Sequence, residues 1–188
     1  MFSLVRRLSR ALPLLLVFMF ISTPLPAAAW AAPPSLNGES FSGVATLTTT
    51  GCGLLGDGTF GFTVSGSSAT GPYPGPFSES GSVTVSGVSV TGFSASFTIA
   101  PNSGPQSGDT VAGTKVLTSG LFGLCAEGIA LSVNSTYSAI ITLPSAERFC
   151  DTGTAVTNIG QGAPGAFTET FSSSATTATR MGPSSTCP

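Results

Sequence analysis

The chain has no histidine among its 188 residues. Without an imidazole, the Ser-His-Asp and Cys-His arrangements that activate nucleophiles are excluded, and so are histidine metal sites. Serine is abundant, but the chain has no histidine base to activate it. Histidine-dependent hydrolases are therefore excluded, and we predict neither a cofactor nor a bound metal ion.

Positive charge is the second shortage. The chain has six Lys and Arg residues, and three of them lie within the first ten residues. Beyond those ten, three basic residues stand against eight acidic ones, which gives a net charge of −5. A basic surface is missing, so we expect neither nucleic acid nor an anionic membrane as a partner.

The N-terminal segment has the three regions of a secretory signal peptide. Its basic residues lead into an apolar run, residues 12–21, and then into the alanine-rich residues 24–32. The run is too short to span a bilayer comfortably. Cleavage fits after Ala29 or Ala31, so we predict a signal peptide over residues 1–31 and a secreted product, extracellular or associated with the cell wall.

The chain has four cysteines, and all of them follow the predicted cleavage site: Cys52, Cys125, Cys150 and Cys187. An even number in an oxidising compartment favours two disulfides, although the sequence leaves the pairing open. A zinc site would need all four thiolates, and their wide spacing does not match zinc knuckles. We predict two disulfides, one of which ties the tail, residues 175–188, back through Cys187.

Short β-type runs follow one another from residue 41 to residue 174. Gly, Pro, Ser, Asn and Asp separate them, and no window has a convincing helical period. Consecutive strands joined by tight turns usually pair with each other. We predict an all-β fold, a single antiparallel domain of about nine strands built as a sandwich or an up-and-down barrel. The polar, Pro-containing residues 32–40 predict a flexible arm before it.

Two strands remain ambiguous in the sequence. Residues 110–118 form a run in which either face could belong to the core. Residues 129–143 hold one apolar parity except at Ser135, which fits one long strand or two strands that turn near Asn134. A hairpin is expected around Gly87 or Gly92.

The most unusual feature is a repeated motif, P-G-x-F-[ST]-E-[ST], at residues 74–80 and 164–170. Side chains alternate along a strand, so the glutamate of each copy, Glu79 and Glu169, should face the same side as its phenylalanine. A buried carboxylate needs hydrogen-bond donors, a cation or a proton. Lys115, the single lysine, shares a face with Leu117 in one interpretation of its strand. This predicts a Glu79/Glu169/Lys115 polar cluster inside the barrel or sandwich.

Three interpretations of the glutamates remain open. Each carboxylate could lie in water at a strand entrance or cap the preceding Pro-Gly loop. The pair could form a buried structural network with Lys115. The third alternative is a ligand-binding or catalytic site, since paired carboxylates serve as acid and base in glycoside hydrolysis. However, Trp30, the only tryptophan, lies in the cleavage region, so no tryptophan remains to stack on a sugar.

Tyr73 lies between two prolines in the sequence Gly-Pro-Tyr-Pro-Gly. Its ring is either a rigid exposed aromatic suited to recognition or a lid over one end of the core, and the lid is favoured. Asp57, Asp109 and Asp151 lie in or beside predicted loops and could bind calcium. Ordinary turn chemistry explains them better, because no D-x-D-x-D spacing occurs.

The run T-G-P-Y-P-G-x-F-x-E-x-G-x-V-x-V, followed by G-F-S-A-S-F-T-I and V-A-G-T-K-V-L-T, resembles an uncharacterised exported β-rich domain of bacterial secreted proteins. The resemblance covers residues 40–174. It implies an extracellular bacterial protein with one β domain, and it carries no catalytic residues over to this chain.

These observations predict a secreted, non-enzymatic β domain that acts as an extracellular binding or structural module, with an unidentified extracellular or cell-wall partner. The alternative is a β-barrel that binds a small ligand at an internal site formed by Glu79, Glu169, Lys115 and Tyr73. A hydrolase that uses the two glutamates is the third hypothesis. The oligomeric state is left open by the sequence.

Overall fold

The computed structural model describes residues 31–49, 57–126, 128–162, 164–183 and 185–188, which belong to one compact unit, Ala31–Pro188. Apart from Ala31, the predicted signal peptide lies outside the described residues. Within this described part, no helix is long and apolar enough to cross a membrane.

Nine antiparallel β-strands make up the described unit. They are β1 (Ser40–Thr49), β2 (Gly58–Thr70), β3 (Pro76–Ser86), β4 (Ser89–Ile99), β5 (Thr110–Ala126), β6 (Gly128–Thr142), β7 (Arg148–Ile159), β8 (Gly165–Ser173) and β9 (Thr179–Arg180).

Strands β1 to β8 close into a barrel. Each pairs with the next along the chain, and β8 pairs back with β1, with Phe41 opposite Glu169. Strand β9 is an addition that pairs with β7, with Phe149 opposite Arg180. The all-β antiparallel prediction is confirmed, and of the two predicted architectures the chain adopts the barrel.

Alternation along the strands decides which residues fill the barrel. In β3, for example, Phe77, Val83 and Val85 are buried, whereas Ser78 and Ser80 are exposed. Each large apolar side chain that is fully buried contributes about 1.5–3 kcal/mol to stability. The interior is mainly aromatic, with Phe41, Phe60, Phe62, Phe97, Phe149, Phe167 and Phe171 almost completely buried.

The two ambiguous strands are resolved by pairing. Residues 128–142 form one long strand, β6, which pairs with β5 along its whole length. Strand β5 is longer than the sequence predicted, because register shifts after Leu117 and after Gly120 interrupt its alternation while pairing continues. The face that contains Lys115 is the inner one, and Val116 on the other face is exposed. The predicted hairpin turns at Gly87, whose φ of 61° suits a two-residue connection.

The N-terminal segment is packed, so the prediction of a flexible arm over residues 32–40 is wrong for most of its length. Leu36 is completely buried, Pro34 forms a β-bridge with Thr177, and the Gly38 N–H donates to the Phe171 carbonyl at 3.1 Å. The polar composition was misleading because Leu36 packs into the core and hydrogen bonds hold the backbone of the segment against β8.

The tail is held by a disulfide between Cys150 and Cys187, whose Cα atoms are 5.4 Å apart. This confirms that Cys187 ties residues 175–188 back to the barrel. Cys52 and the side chain of Cys125 lie outside the described residues, and the predicted second disulfide lies there with them.

Candidate functional site

Glu79 and Glu169 enter the barrel from β3 and β8. In each strand the glutamate comes two residues after an inward-facing phenylalanine, Phe77 or Phe167, so the strand parity directs the carboxyl group inside. Lys115 reaches the same place from β5. The side chains of all three charged residues have 0% of their surface exposed.

These residues form a closed network, which we call the core cluster: Glu79, Lys115, Glu169 and Thr157. The Lys115 ammonium donates to Glu79 Oε2 at 2.6 Å and also to Glu169 Oε1. The Thr157 hydroxyl, from β7, donates to the same Glu169 oxygen. One cation therefore bridges two carboxyl groups that come from different walls of the barrel.

Aromatic rings surround the ammonium group. Lys115 Nζ lies 5.8 Å from the ring centroid of Phe93 and 5.6 Å from those of Phe97 and Phe171, distances at which the ring faces attract a cation. Gly113 makes room for this arrangement, because a Cβ at this position would lie 2.5 Å from the Phe97 ring. The cluster is thus enclosed by apolar surface.

The core cluster has one carboxyl group more than it has cations. Burial first, and then the nearby charge of Glu169, raise the pKa of Glu79 from 4.5 to about 8, although Lys115 opposes both effects. Lys115 donates to one oxygen of each carboxyl group, and no group of the described residues is hydrogen-bonded to the other two oxygens, Glu79 Oε1 and Glu169 Oε2. With its pKa raised to about 8, Glu79 keeps its proton at neutral pH.

The predicted Glu79/Glu169/Lys115 cluster is confirmed as a structural unit. The interpretation that the carboxylates lie in water at strand entrances is wrong, because neither glutamate side chain has any exposed surface. Ligand binding by these residues stays a prediction.

Tyr73 is packed against the N-terminal segment. It is completely buried, its hydroxyl donates to the Pro34 carbonyl, and its N–H donates to Glu39 Oε2 at 2.8 Å. Burial, with neighbouring carboxylates, raises the pKa of Tyr73. Tyr73 is therefore the lid that the sequence favoured and not an exposed recognition residue, and in the described residues no hydrogen bond joins it to the core cluster.

Asp151 is the centre of a second buried polar group, which we call the lid cluster: Asp151, Tyr137, Leu36 and Ser173. Its Oδ2 accepts from the Leu36 N–H at 2.8 Å and from the Tyr137 hydroxyl at 2.7 Å, and its Oδ1 accepts from the Ser173 hydroxyl at 2.9 Å. Burial raises the pKa of Tyr137, and the hydrogen bond to Asp151 adds to it. A single carboxylate thereby ties the N-terminal segment to β6, β7 and β8.

Sequence reasoning missed the role of Asp151, which lies inside β7 and not in a loop. Strand parity could have predicted that Asp151 faces inward, because it has the same parity as Phe149 and Ala155, just as Glu79 has the parity of Phe77. Asp57 behaves as the turn residue expected, since its Oδ1 accepts from the Gly87 N–H at 2.6 Å. The described residues contain no group of three His, Cys, Asp or Glu side chains that could hold a metal ion.

Two grooves run along the outer surface beside the C-terminal tail. One, of about 660 Å³, lies between the tail and strands β4 to β6 and includes Thr114, Ser138 and Arg148 in its lining. The other, of about 640 Å³, includes Thr136 and Thr152. Both linings consist mainly of hydroxyl and apolar side chains, and no Asp or Glu of the described residues contributes to either.

No known protein family, curated protein or solved structure matches the chain. Function must therefore be argued from the core cluster, the lid cluster and the outer surface themselves.

Proposed function

We propose that the chain is a secreted, non-enzymatic β-barrel domain that acts outside the cell as a structural or binding module. The observation that carries this proposal is the enclosure of the core cluster. Its two carboxyl groups and its amine are the most reactive groups in the barrel, and their side chains have 0% exposure. A soluble substrate has no route to them without displacement of the surrounding aromatic side chains.

The arrangement of the two glutamates also weighs against a glycoside hydrolase. Such an enzyme places its carboxyl groups on either side of the scissile bond with space for the sugar between them. Here Lys115 occupies the space between the carboxyl groups. A small-ligand site in the barrel is disfavoured for the same reason, since phenylalanine side chains fill the interior around the cluster.

The outer surface fits the proposed structural or binding role, because it presents many hydroxyl groups and few charged side chains. Serine and threonine side chains cover adjacent strands and bond to one another across them, as Ser78 does with Thr98 at 2.9 Å and Thr59 with Thr84 at 2.9 Å. A closed barrel also has no free edge strands along its wall, which protects it from edge-to-edge association. The Cys150–Cys187 disulfide fits an oxidising compartment, where we place the protein.

Native mass spectrometry of the exported protein, before and after denaturation, tests this proposal. We expect the mature N-terminus at residue 30 or 32 in the culture medium or the cell-wall fraction, and a native mass with no small molecule attached. A mass increment that disappears on denaturation, and that is also lost in E79Q/E169Q, would overturn the proposal in favour of an internal ligand site. The L36A variant is the matched control, because it disturbs the barrel end without changing the core cluster.

A further inference from the structure

The core cluster places an amine against two carboxyl groups inside a water-excluded barrel. Lys115 Nζ lies 2.6 Å from Glu79 Oε2 and in contact with Glu169 Oε1. We propose that Lys115 and Glu79 condense into an intramolecular amide bond, with Glu169 as the group that transfers the protons. The barrel wall would then carry a covalent cross-link between β3 and β5, across the intervening β4.

The roles of the two glutamates follow from their surroundings. Condensation needs a neutral carboxylic acid as the acyl group and a carboxylate as the base. Glu169 Oε1 accepts from both Lys115 and Thr157, and these donors stabilise its negative charge. Glu79 Oε2 accepts from Lys115 alone, and its other oxygen has no donor from any further described residue. Glu79 is therefore suited to be the acyl group and Glu169 to be the base.

The reaction balances within these three groups. Glu169 first accepts a proton from the Lys115 ammonium, which leaves a neutral amine. The nitrogen lone pair attacks the Glu79 carboxyl carbon, and the N–C bond forms. Glu169 then passes its proton to the departing hydroxyl group, the C–O bond breaks, and water leaves. A second proton from the nitrogen ends on Glu169, so the products are a neutral amide, a neutral Glu169 carboxylic acid and one water molecule.

The surroundings favour this step in two ways. The fold holds the amine and the acid in contact, which replaces a bimolecular encounter with an effectively unimolecular one. The reaction also removes both charges from an apolar interior, where separated charges are costly. The rings of Phe93, Phe97 and Phe171 exclude the water that hydrolysis of the amide would need.

Intact mass spectrometry of the wild-type protein, denatured and fully reduced, tests the cross-link directly. We expect the mass to be lower than that of the linear chain by one water molecule. The K115R variant, which keeps the cation but has no ε-amine, should have the full linear mass. Full linear mass in the folded wild type would overturn the proposal, and this measurement requires no variant to fold.

Two conservative variants identify the acyl group. In E79Q the side-chain amide can still be attacked, with ammonia as the leaving group, so a cross-linked E79Q protein would have the same mass as the cross-linked wild type. In E169Q no carboxylate base remains, and we expect the full linear mass. If E169Q instead reaches the cross-linked wild-type mass and E79A still loses water, the bond is to Glu169, and the assignment to Glu79 is wrong. Fragmentation of the joined peptides should locate the bond between Lys115 and Glu79.

Discussion

The barrel contains two buried polar clusters, and each stabilises carboxyl groups in the interior in a different way. In the lid cluster one carboxylate, Asp151, is surrounded by three neutral donors, and both of its oxygens are hydrogen-bonded. In the core cluster two carboxyl groups compete for one ammonium, and one oxygen of each has no other donor among the described residues. In the lid cluster, both oxygens of the carboxylate already have hydrogen-bond partners. In the core cluster, the charges balance only if one carboxyl group is protonated or if the charged groups react with each other.

This difference separates a structural role from a chemical one. Hydrogen bonds from neutral donors hold Asp151 in place and leave no reactive atom without a partner. The core cluster keeps an amine, an acid and a base in contact, which is the composition that amide formation requires. Burial alone therefore does not identify a functional group. A buried carboxyl group is a better candidate when its oxygens have fewer hydrogen-bond donors than they can accept.

The largest expected effect is the loss of the only cation of the core cluster. K115M removes the ammonium and the proposed cross-link and leaves two buried carboxyl groups, so we expect a loss of about 3–5 kcal/mol in the free energy of unfolding. Urea unfolding followed by fluorescence or circular dichroism measures it. The triple variant K115M/E79Q/E169Q, which has no charge in the cluster, should recover much of the loss. A K115M protein as stable as the wild type would contradict the assigned charges.

Removal of the lid carboxylate should have the next largest effect. D151A leaves the Leu36 N–H and the Tyr137 hydroxyl without their acceptor, while the Ser173 hydroxyl keeps the Thr152 carbonyl, and we expect a loss of about 2–3 kcal/mol. D151N, which retains one acceptor oxygen, should lose less. Limited proteolysis gives a second readout, because cleavage within residues 33–39 should become faster in D151A and remain slow in K115M. Equal protection in the two variants would show that Asp151 does not hold the N-terminal segment.

A smaller change is expected from pH, and it should involve the core cluster alone. K115R keeps a cation but cannot form the cross-link, so its Glu79 remains titratable. The pKa of Glu79 is raised from 4.5 to about 8 on folding, so between these values the folded chain binds more protons than the unfolded chain. The unfolding free energy of K115R should therefore fall as pH rises from 4.5 to about 8. Unfolding curves across this range measure the slope.

The control for the pH effect is the double variant K115R/E79Q, which has no Glu79 carboxyl to titrate. The falling slope should be absent from it. Adding D151N to K115R should leave the slope unchanged, since Asp151 belongs to the other cluster. A K115R protein whose stability rises over the same interval would contradict the raised pKa of Glu79.

The smallest effect is expected for a single hydroxyl group at the lid. Y73F removes the hydrogen bond from the Tyr73 hydroxyl to the Pro34 carbonyl but keeps the buried ring, so we expect a loss of about 1 kcal/mol. Thermal unfolding measures this change. A much larger loss would mean that the hydroxyl, and not the ring, holds the lid in place.

The sequence predicted the core cluster because strand parity is a local property. Once residues 74–80 and 164–170 are identified as strand entrances, Glu79 and Glu169 must face inward with their phenylalanines. Lys115 was harder to place, since both faces of β5 carry apolar residues. Only the pairing with β4 and β6 determines which face is inside, and that is a non-local property.

The lid cluster could not be predicted from the sequence, for a different reason. The N-terminal segment is polar apart from Leu36, and its burial depends on contacts with β8 and with Asp151, more than 110 residues later in the chain. Asp151 itself follows a cysteine and precedes Thr-Gly, which looks like turn chemistry. Closure into a barrel also depends on the pairing of β1 with β8, which no local pattern encodes.

The burial of Lys115 has a practical consequence for labelling and digestion. It is the only lysine of the chain, so the folded domain presents no ε-amine to an amine-reactive reagent, and the α-amine of the N-terminus is left as the point of attachment for such dyes or resins. Beyond the predicted signal peptide, Arg148 and Arg180 are the only arginines, and burial protects Lys115 from trypsin while the domain is folded. In the proposed extracellular setting, this distribution leaves very few cleavage sites for trypsin-like proteases.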